Sequence, residues 1–424
     1  MFKLDTIIFE DEGHKIAYNY TVNQSIKKYF NINNKLYVIY DKDVSNIPMS
    51  ITVIPLLANI MPISWFAGFD VFVEEIDETF YNSLKELKIQ FEKHHPKIKS
   101  KGKLRFKKLV NNTFGSNNSM LLFSGGLDSF ESLTRNYDKH PYLVSIHGAD
   151  VKINDNTRWN QFKKFNEVEN IIDNKKLKYL ESNLRDFYTY KVDLLINSLG
   201  WWGEIQHGMA LLGVLAPLTN VLGVKQVFIA SSNTKEVDFS WGSRPEIDEN
   251  MKWANVKIIH DGYHLRRPEK IVNVVGFVKK HNEKINLRVC YSDLRNGANC
   301  NICPKCQRTM LGLILANENP ANYGLQIPDN FYQLLLSNFE NNTVMSKGLE
   351  YEWWCLQEKV KENKPFFVIN NEEQETFYLK EFKELNLKEI INKNSDKISN
   401  TDRIKFVLRN KFSKLYNSYL KTRY

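Results

Sequence analysis

The run Ser124-Gly125-Gly126-Leu127-Asp128-Ser129 sets two hydroxyls, two glycines and a carboxylate side by side, a combination suited to gripping an oxyanion. The glycines permit positive φ and remove Cβ atoms, so successive backbone N–H groups can come close to a phosphate. Apolar Met120 to Phe123 before it and helix-like Phe130 to Asn136 after it read as strand, loop and helix. The helix N-terminus adds donors and a favourable dipole. Ser124 and Ser129 can each donate a hydroxyl, while Asp128 can hold Mg²⁺ or cap the helix. The lysine of the G-x-x-x-x-G-K-[ST] loop is missing, so this loop is not built to hold β and γ phosphates for γ transfer. A helix-entry turn of small residues is the plain alternative.

Cys290, Cys300, Cys303 and Cys306 form the second chemical grouping, with Cys355 standing apart. The spacing C-x9-C-x2-C-x2-C lets a short knuckle and one earlier thiolate meet a tetrahedral Zn²⁺. A shell closed by four thiolates leaves no place for water, so the metal would be structural. An iron–sulfur cluster and a thiol relay for sulfur transfer are the alternatives. Cys355, beside Trp353 and Trp354, reads as a core residue.

Positioning these groups requires an α/β frame. From about Ser119, short apolar runs at Met120 to Phe123, Tyr142 to Ile146, Leu177 to Leu180 and Gln226 to Ala230 alternate with helical patterns, as in a parallel sheet covered by helices. Residues 1–110 read as an α+β domain, with strands near Thr6 to Phe9, Lys15 to Tyr20, Leu36 to Tyr40 and Phe69 to Ile76. A helix carrying Phe80, Leu84, Leu87 and Phe91 on one face follows, with Asp77 as its N-cap. Residues 117–318 form the core α/β domain and 319–424 a helical extension ending in Asp402 to Tyr419. The net charge of +9 leaves nucleic acid open as a partner, although the lysines are dispersed. No signal peptide is evident, and Gly208 to Val224 is interrupted by Pro217, Thr219 and Asn220, so a cytoplasmic chain is expected.

The Ser124 loop resembles the PP-loop of ATP pyrophosphatases, which grips pyrophosphate while AMP is transferred. Three ordered features are similar to the 7-cyano-7-deazaguanine synthases of queuosine biosynthesis: that loop, the stretch Asp238-Phe239-Ser240 with Arg244-Pro245-Glu246-Ile247, and Cys300-Asn301-Ile302-Cys303-Pro304-Lys305-Cys306 followed by Arg308. The match covers about Ser119 to Ala316, less than half the chain. It implies a Rossmann-like sheet of the adenine nucleotide α-hydrolase type. It also implies ATP with Mg²⁺, and Zn²⁺ on Cys290, Cys300, Cys303 and Cys306. The family's reaction adenylates 7-carboxy-7-deazaguanine, admits ammonia, then forms the nitrile.

On that resemblance Ser124, Gly125, Gly126, Leu127, Asp128 and Ser129 would bind ATP, with His147 near the adenine or moving a proton. Ser124, Asp128, Ser129, Arg244 and Lys270 would serve the chemistry, and Asp238, Arg244 and Glu246 the substrate. A carboxylate reacting beside phosphates needs cations, and Arg244, Arg266, Arg267 and Lys270 all follow the fourth core strand. Two stretches depart from the family. Its Arg-Asn pair is replaced by Trp201-Trp202-Gly203-Glu204-Ile205-Gln206-His207, and its Asp-Tyr-Gly-Gln-like turn reads His147-Gly148-Ala149-Asp150. Enlarged relatives occur among prokaryotic antiphage-defence components, so the flanks imply a partner protein bearing the acceptor amine, or a homodimer. A tRNA-modifying thiolase would need a cysteine near the loop, and none lies between Met1 and Val289. A nucleotide-sensing scaffold is the non-enzymatic alternative.

Overall fold

The computed structural model describes residues 1–96, 101–237, 241–290, 297–340, 346–392, 400–412 and 416. Ten strands form one sheet: β1 Phe2–Glu10, β2 Lys15–Val22, β3 Tyr37–Ile39, β4 Val71–Asp77, β5 Leu104–Val110, β6 Asn118–Leu122, β7 Tyr142–His147, β8 Leu177–Ser182, β9 Val224–Ala230 and β10 Lys257–Asp261. Their order is β10-β9-β6-β7-β8-β3-β2-β1-β4-β5. The segment β10-β9-β6-β7-β8 is wholly parallel, with the order reversing at β6, where ligands collect in sheets of this kind. The strand β6 runs directly into the Ser124 loop. The α/β class and the Rossmann-like arrangement therefore follow from hydrogen bonding alone.

The strands of 1–110 do not make a sheet of their own. They join the parallel segment through β3, which pairs antiparallel with β8 at Val38↔Ser182 and Ile39↔Glu181. Buried residues alternate along each central strand, as strand geometry requires. Met120, Val144, Val227 and Ile229 enter one apolar layer, while Leu121, Leu143 and Phe228 enter the other. The first layer holds the N-terminal strands, helix Ile54–Ala67 and helix His207–Gly213. The second holds helices Leu127–Arg135, Arg267–His281 and Pro304–Leu315, plus Phe331, Trp353, Leu356 and Phe382 of the C-terminal extension. Each flank thus completes one face of the same sheet. No described helix is long and apolar enough to cross a membrane.

Helix Ile54–Ala67 buries all residues from Ile54 to Trp65. It crosses helix His207–Gly213 so closely that a Cβ on Gly213 would stand 2.3 Å from Ala58 Cβ. Asp77 caps helix Glu78–His94 by accepting from Phe80 N at 2.8 Å, as its sequence position suggests. The same carboxylate accepts from Ala254 N at 2.9 Å, tying the N-terminal unit to the loop before β10. Gly213→Ala is expected to cost about 1–3 kcal/mol, since neither helix can yield without disturbing buried neighbours. Urea denaturation of the full chain checks this, and an unchanged midpoint would show that the crossing can relax.

Candidate active site

Strand β6 ends against β7, where Phe123 N donates to Val144 O at 2.8 Å, and the chain then turns through Ser124 and Gly125. Gly125 has φ +69°, a conformation that favours glycine, and a Cβ there would lie 3.2 Å from Asn166 Oδ1. The loop is braced from within. Ser124 N donates to Ser129 Oγ at 3.3 Å, and Ser129 Oγ donates to Gly126 O at 3.1 Å. Gly126 is the N-cap of helix Leu127–Arg135, so the first N–H groups of that helix open at the loop.

Cations converge from several parts of the chain. Lys270 Nζ, nearly buried, lies 2.9 Å from Asp128 Oδ1 and also donates to Ser231 O. Burial pushes the Asp128 carboxyl up, but Lys270, Arg267 and Lys305 outweigh it and hold the group at about 2. Arg288 clamps the loop's backbone, with Nε and Nη2 donating to Ser124 O at 3.1 and 2.8 Å and its own N–H donating to Gly125 O at 2.7 Å. Arg267 Nη1 and Arg308 Nε lie 3.7 and 2.8 Å from Glu352 Oε2. The second contact is an ion pair by distance; its N–H is not aimed at the oxygen. Burial lowers the Arg308 guanidinium to about 10, so it still carries its charge at neutral pH.

A cleft of about 910 Å³ opens over the loop. Ser124, Gly126, Leu127, Asp128 and Ser129 line it, together with Arg267, Arg288, Lys305, Arg308 and Glu352. Trp202, His207, Trp241 and Ser243 line it too, with Asp150 and Arg185. Glu352 belongs to helix Lys347–Lys361, so the C-terminal extension closes part of the cleft beside the loop.

Several expected site residues lie elsewhere. His147 is not on the cleft wall. Its ring is buried, with Nδ1 3.2 Å from Glu181 Oε2 and Nε2 3.0 Å from Lys152 O, and stacks on Trp159 at 4.9 Å. With both nitrogens occupied, its place is structural. Arg244 precedes helix Pro245–Asp248 in extended backbone and sends Nη1 to His94 Nδ1 at 2.8 Å. Its neighbour Ser243 is the one that reaches the cleft. Glu246 is exposed and off the cleft wall, and Arg266 pairs with Glu236 at the surface. Asp238 lies outside the described residues. Arg288, Glu352, Arg185 and Trp241 were not anticipated. Arg288 stands just before Cys290 and Trp241 lies between Ser240 and Arg244, whereas Arg185 and Glu352 carry no local signal of a site.

The four cysteines do come together. Their sulfurs all lie within 4.8 Å of one another. Cys290–Cys303, Cys300–Cys306 and Cys303–Cys306 are separated by 3.8, 3.9 and 3.5 Å. Zn–S bonds of about 2.3 Å in a tetrahedron require sulfur spacings of about 3.8 Å, so the group fits a metal ion such as zinc. The hydrogen bond shared by Cys303 and Cys306 pulls the Cys303 thiol well below its ordinary range and pushes Cys306 up, so the pair favours one thiolate. Asn299 holds the knuckle to the earlier segment. Its Oδ1 accepts from Val289 N and Cys290 N at 2.9 and 3.2 Å, and its Nδ2 donates to Leu287 O at 2.7 Å.

No protein-family model, curated protein or solved structure matches the chain.

Proposed function

We propose that the chain is an AMP- and pyrophosphate-forming carbon–nitrogen ligase that adenylates the carboxylate of a 7-deazaguanine, 7-carboxy-7-deazaguanine, and passes the acyl group to an amine. The observation that carries this reading is the cleft wall at the loop, where Arg267, Arg288, Lys305 and Arg308 gather beside the Asp128–Lys270 pair. A carboxylate attacking an α-phosphate brings two anions together and releases a third. Fixed cations in a partly dry site are the effective way to offset that repulsion. Backbone N–H groups at Gly126 and the helix behind it would receive the departing pyrophosphate, with Mg²⁺ accompanying the nucleotide. The cleft is at the upper end of the usual range for small-molecule sites, about 300–1,000 Å³, which suits a nucleotide and a second planar substrate.

Zinc on Cys290, Cys300, Cys303 and Cys306 would supply no chemistry, since four thiolates close its shell. It would hold the knuckle that presents Lys305 and Arg308. The acceptor would be ammonia or an amine on a partner protein, in keeping with the flanks and with a role in antiphage defence.

Incubation with ATP, Mg²⁺, ammonia and 7-carboxy-7-deazaguanine, followed by mass spectrometry, tests the reading. AMP, pyrophosphate and an amidated deazaguanine are expected. ADP and phosphate as products would overturn it, and binding without turnover would favour the nucleotide-sensing scaffold.

A further inference from the structure

The part of the cleft wall formed by Trp202, His207 and Trp241 has its own construction. Trp202–Gln206 is a π-helical turn, and the His207 N–H closes it by donating to Trp202 O. In an α-helix, residues five apart sit about 140° around the axis from each other. The wider turn, with its i→i+5 bond, brings Trp202 and His207 to the same wall, ring centroids 5.2 Å apart. Trp241 approaches from a separate loop, 5.3 Å from His207. Glycines permit that approach. Gly242 N donates to Gly203 O at 2.7 Å, Gly208 N donates to Gly242 O at 3.0 Å, and a Cβ on Gly203 would stand 2.9 Å from the Trp241 ring.

The result is an imidazole on the cleft wall, flanked by two indoles. Its Nδ1 is buried without a hydrogen-bond partner among the described residues. This differs from His147, where both nitrogens are used. Gln206, next in sequence, turns the other way and donates to Asn59 Oδ1 at 2.7 Å and Leu184 O at 2.8 Å. That anchor fixes the turn and leaves His207 to the cleft. The charged groups around the ring are Asp150 and Asp248, which favour its protonation, and Arg185, which opposes it; burial is the largest influence and leaves the ring neutral more readily than a free histidine.

We propose that His207 is the base that takes a proton from the ammonium form of the acceptor, so that the neutral amine can attack the activated carboxylate, and that Trp202 and Trp241 wall the acceptor's approach. The inference rests on the adenylating-ligase reading. In the step, the amine nitrogen forms a bond to the acyl carbon. The bond from that carbon to the AMP oxygen breaks, and its electron pair leaves with AMP. An ammonium gives up two protons on the way to an amide: the first passes to His207 before attack and from there to water, and the second is released from nitrogen to water as the amide forms. No oxidant or further co-reactant is required. Indole faces attract a cationic amine before it gives up its first proton.

The test compares wild type, His207→Gln and His207→Asn in two assays with 7-carboxy-7-deazaguanine. The first is ATP–pyrophosphate exchange, which reads adenylation alone. The second is amide formation with ammonia or with hydroxylamine, which is already unprotonated near neutral pH. Loss of a general base costs about 10²–10⁴ in rate, so transfer to ammonia should fall by that range while exchange is spared. Transfer to hydroxylamine should fall far less, and the ammonia rate of the variants should climb with pH as free ammonia increases. Equal losses with both nucleophiles would mean a merely structural role and would overturn the proposal. An undiminished ammonia rate, or a wild type that exchanges but never transfers to ammonia, would overturn it as well. Absence of wild-type exchange would instead bring down the ligase reading itself.

Discussion

Cys303→Ser is expected to cause the largest loss of stability of any single substitution in this chain. Structural zinc in small modules contributes on the order of 10 kcal/mol of apparent folding free energy. Here the four sulfurs are already spaced for the ion, and Cys303 is also the N-cap of helix Pro304–Leu315, whose side chains Met310, Leu311 and Ile314 are fully buried. The loss should therefore spread from the knuckle into the second apolar layer. Elemental analysis of the purified wild type should give about one zinc per chain, and the variant should lose metal and solubility together. Activity should go with them, because Cys303, Pro304, Lys305 and Arg308 all line the cleft. Iron with visible absorption would reassign the metal. A stable, metal-free wild type would refute the prediction.

Lys270→Met should have the largest effect on turnover without unfolding the protein. Methionine keeps most of the length of the buried stem, so packing in helix Arg267–His281 is largely retained. What disappears is the buried ammonium that stands behind the cleft wall, 2.9 Å from Asp128. Removing one fixed electrostatic contact from a reacting centre costs about 10²–10³ in rate, and AMP formation should fall by that amount. A second effect has a definite sign. Lys270 is the foremost of the cations that hold Asp128 at about 2. Without it, burial is less opposed and the carboxyl titrates at higher pH. Any residual activity that needs the carboxylate should then rise with pH across a range where wild type is flat. Urea midpoints of the two proteins separate this from unfolding, and an equal turnover rate would show that the Asp128–Lys270 pair has no part in the chemistry.

The parts of the fold that were legible in the sequence are those with local signals. Strands β6 to β9 lie within one or two residues of their apolar runs, and the Asp77 cap forms as its position suggests. Helix Ile54–Ala67 gave no such signal because it is apolar on every side and contains Pro55 and Pro62, so no 3.6-residue stripe marks it. Strand β5 was hidden by its charges, Arg105, Lys107 and Lys108, which suit an edge exposed to water. Strand β10 is only Lys257–Asp261, too short to show a period. The site divides the same way. The loop and the cysteines are each contiguous or nearly so, and were readable. Glu352 and Arg185 reach the cleft from distant segments, which no spacing rule announces. Arg244 and Glu246 lie off the cleft because proximity to a site residue in sequence does not fix direction: Ser243 faces the cleft, Arg244 turns to His94, and Glu246 is exposed.

The β3–β8 joint also sets an order of events during synthesis. The bond from Ser182 Oγ to Tyr37 O, 2.7 Å long, closes a separation of 145 residues. A ribosome working at about 5–20 residues per second needs roughly 7–30 s to cover that distance. For that interval the N-terminal strands have emerged while β3 still presents unpaired backbone groups along one side. Such a row readily recruits another extended chain. The N-terminal sheet is thus a half-finished template whose correct partner is its own later strand. Nascent or truncated chains that stop before Ser182 are the species most exposed to mispairing.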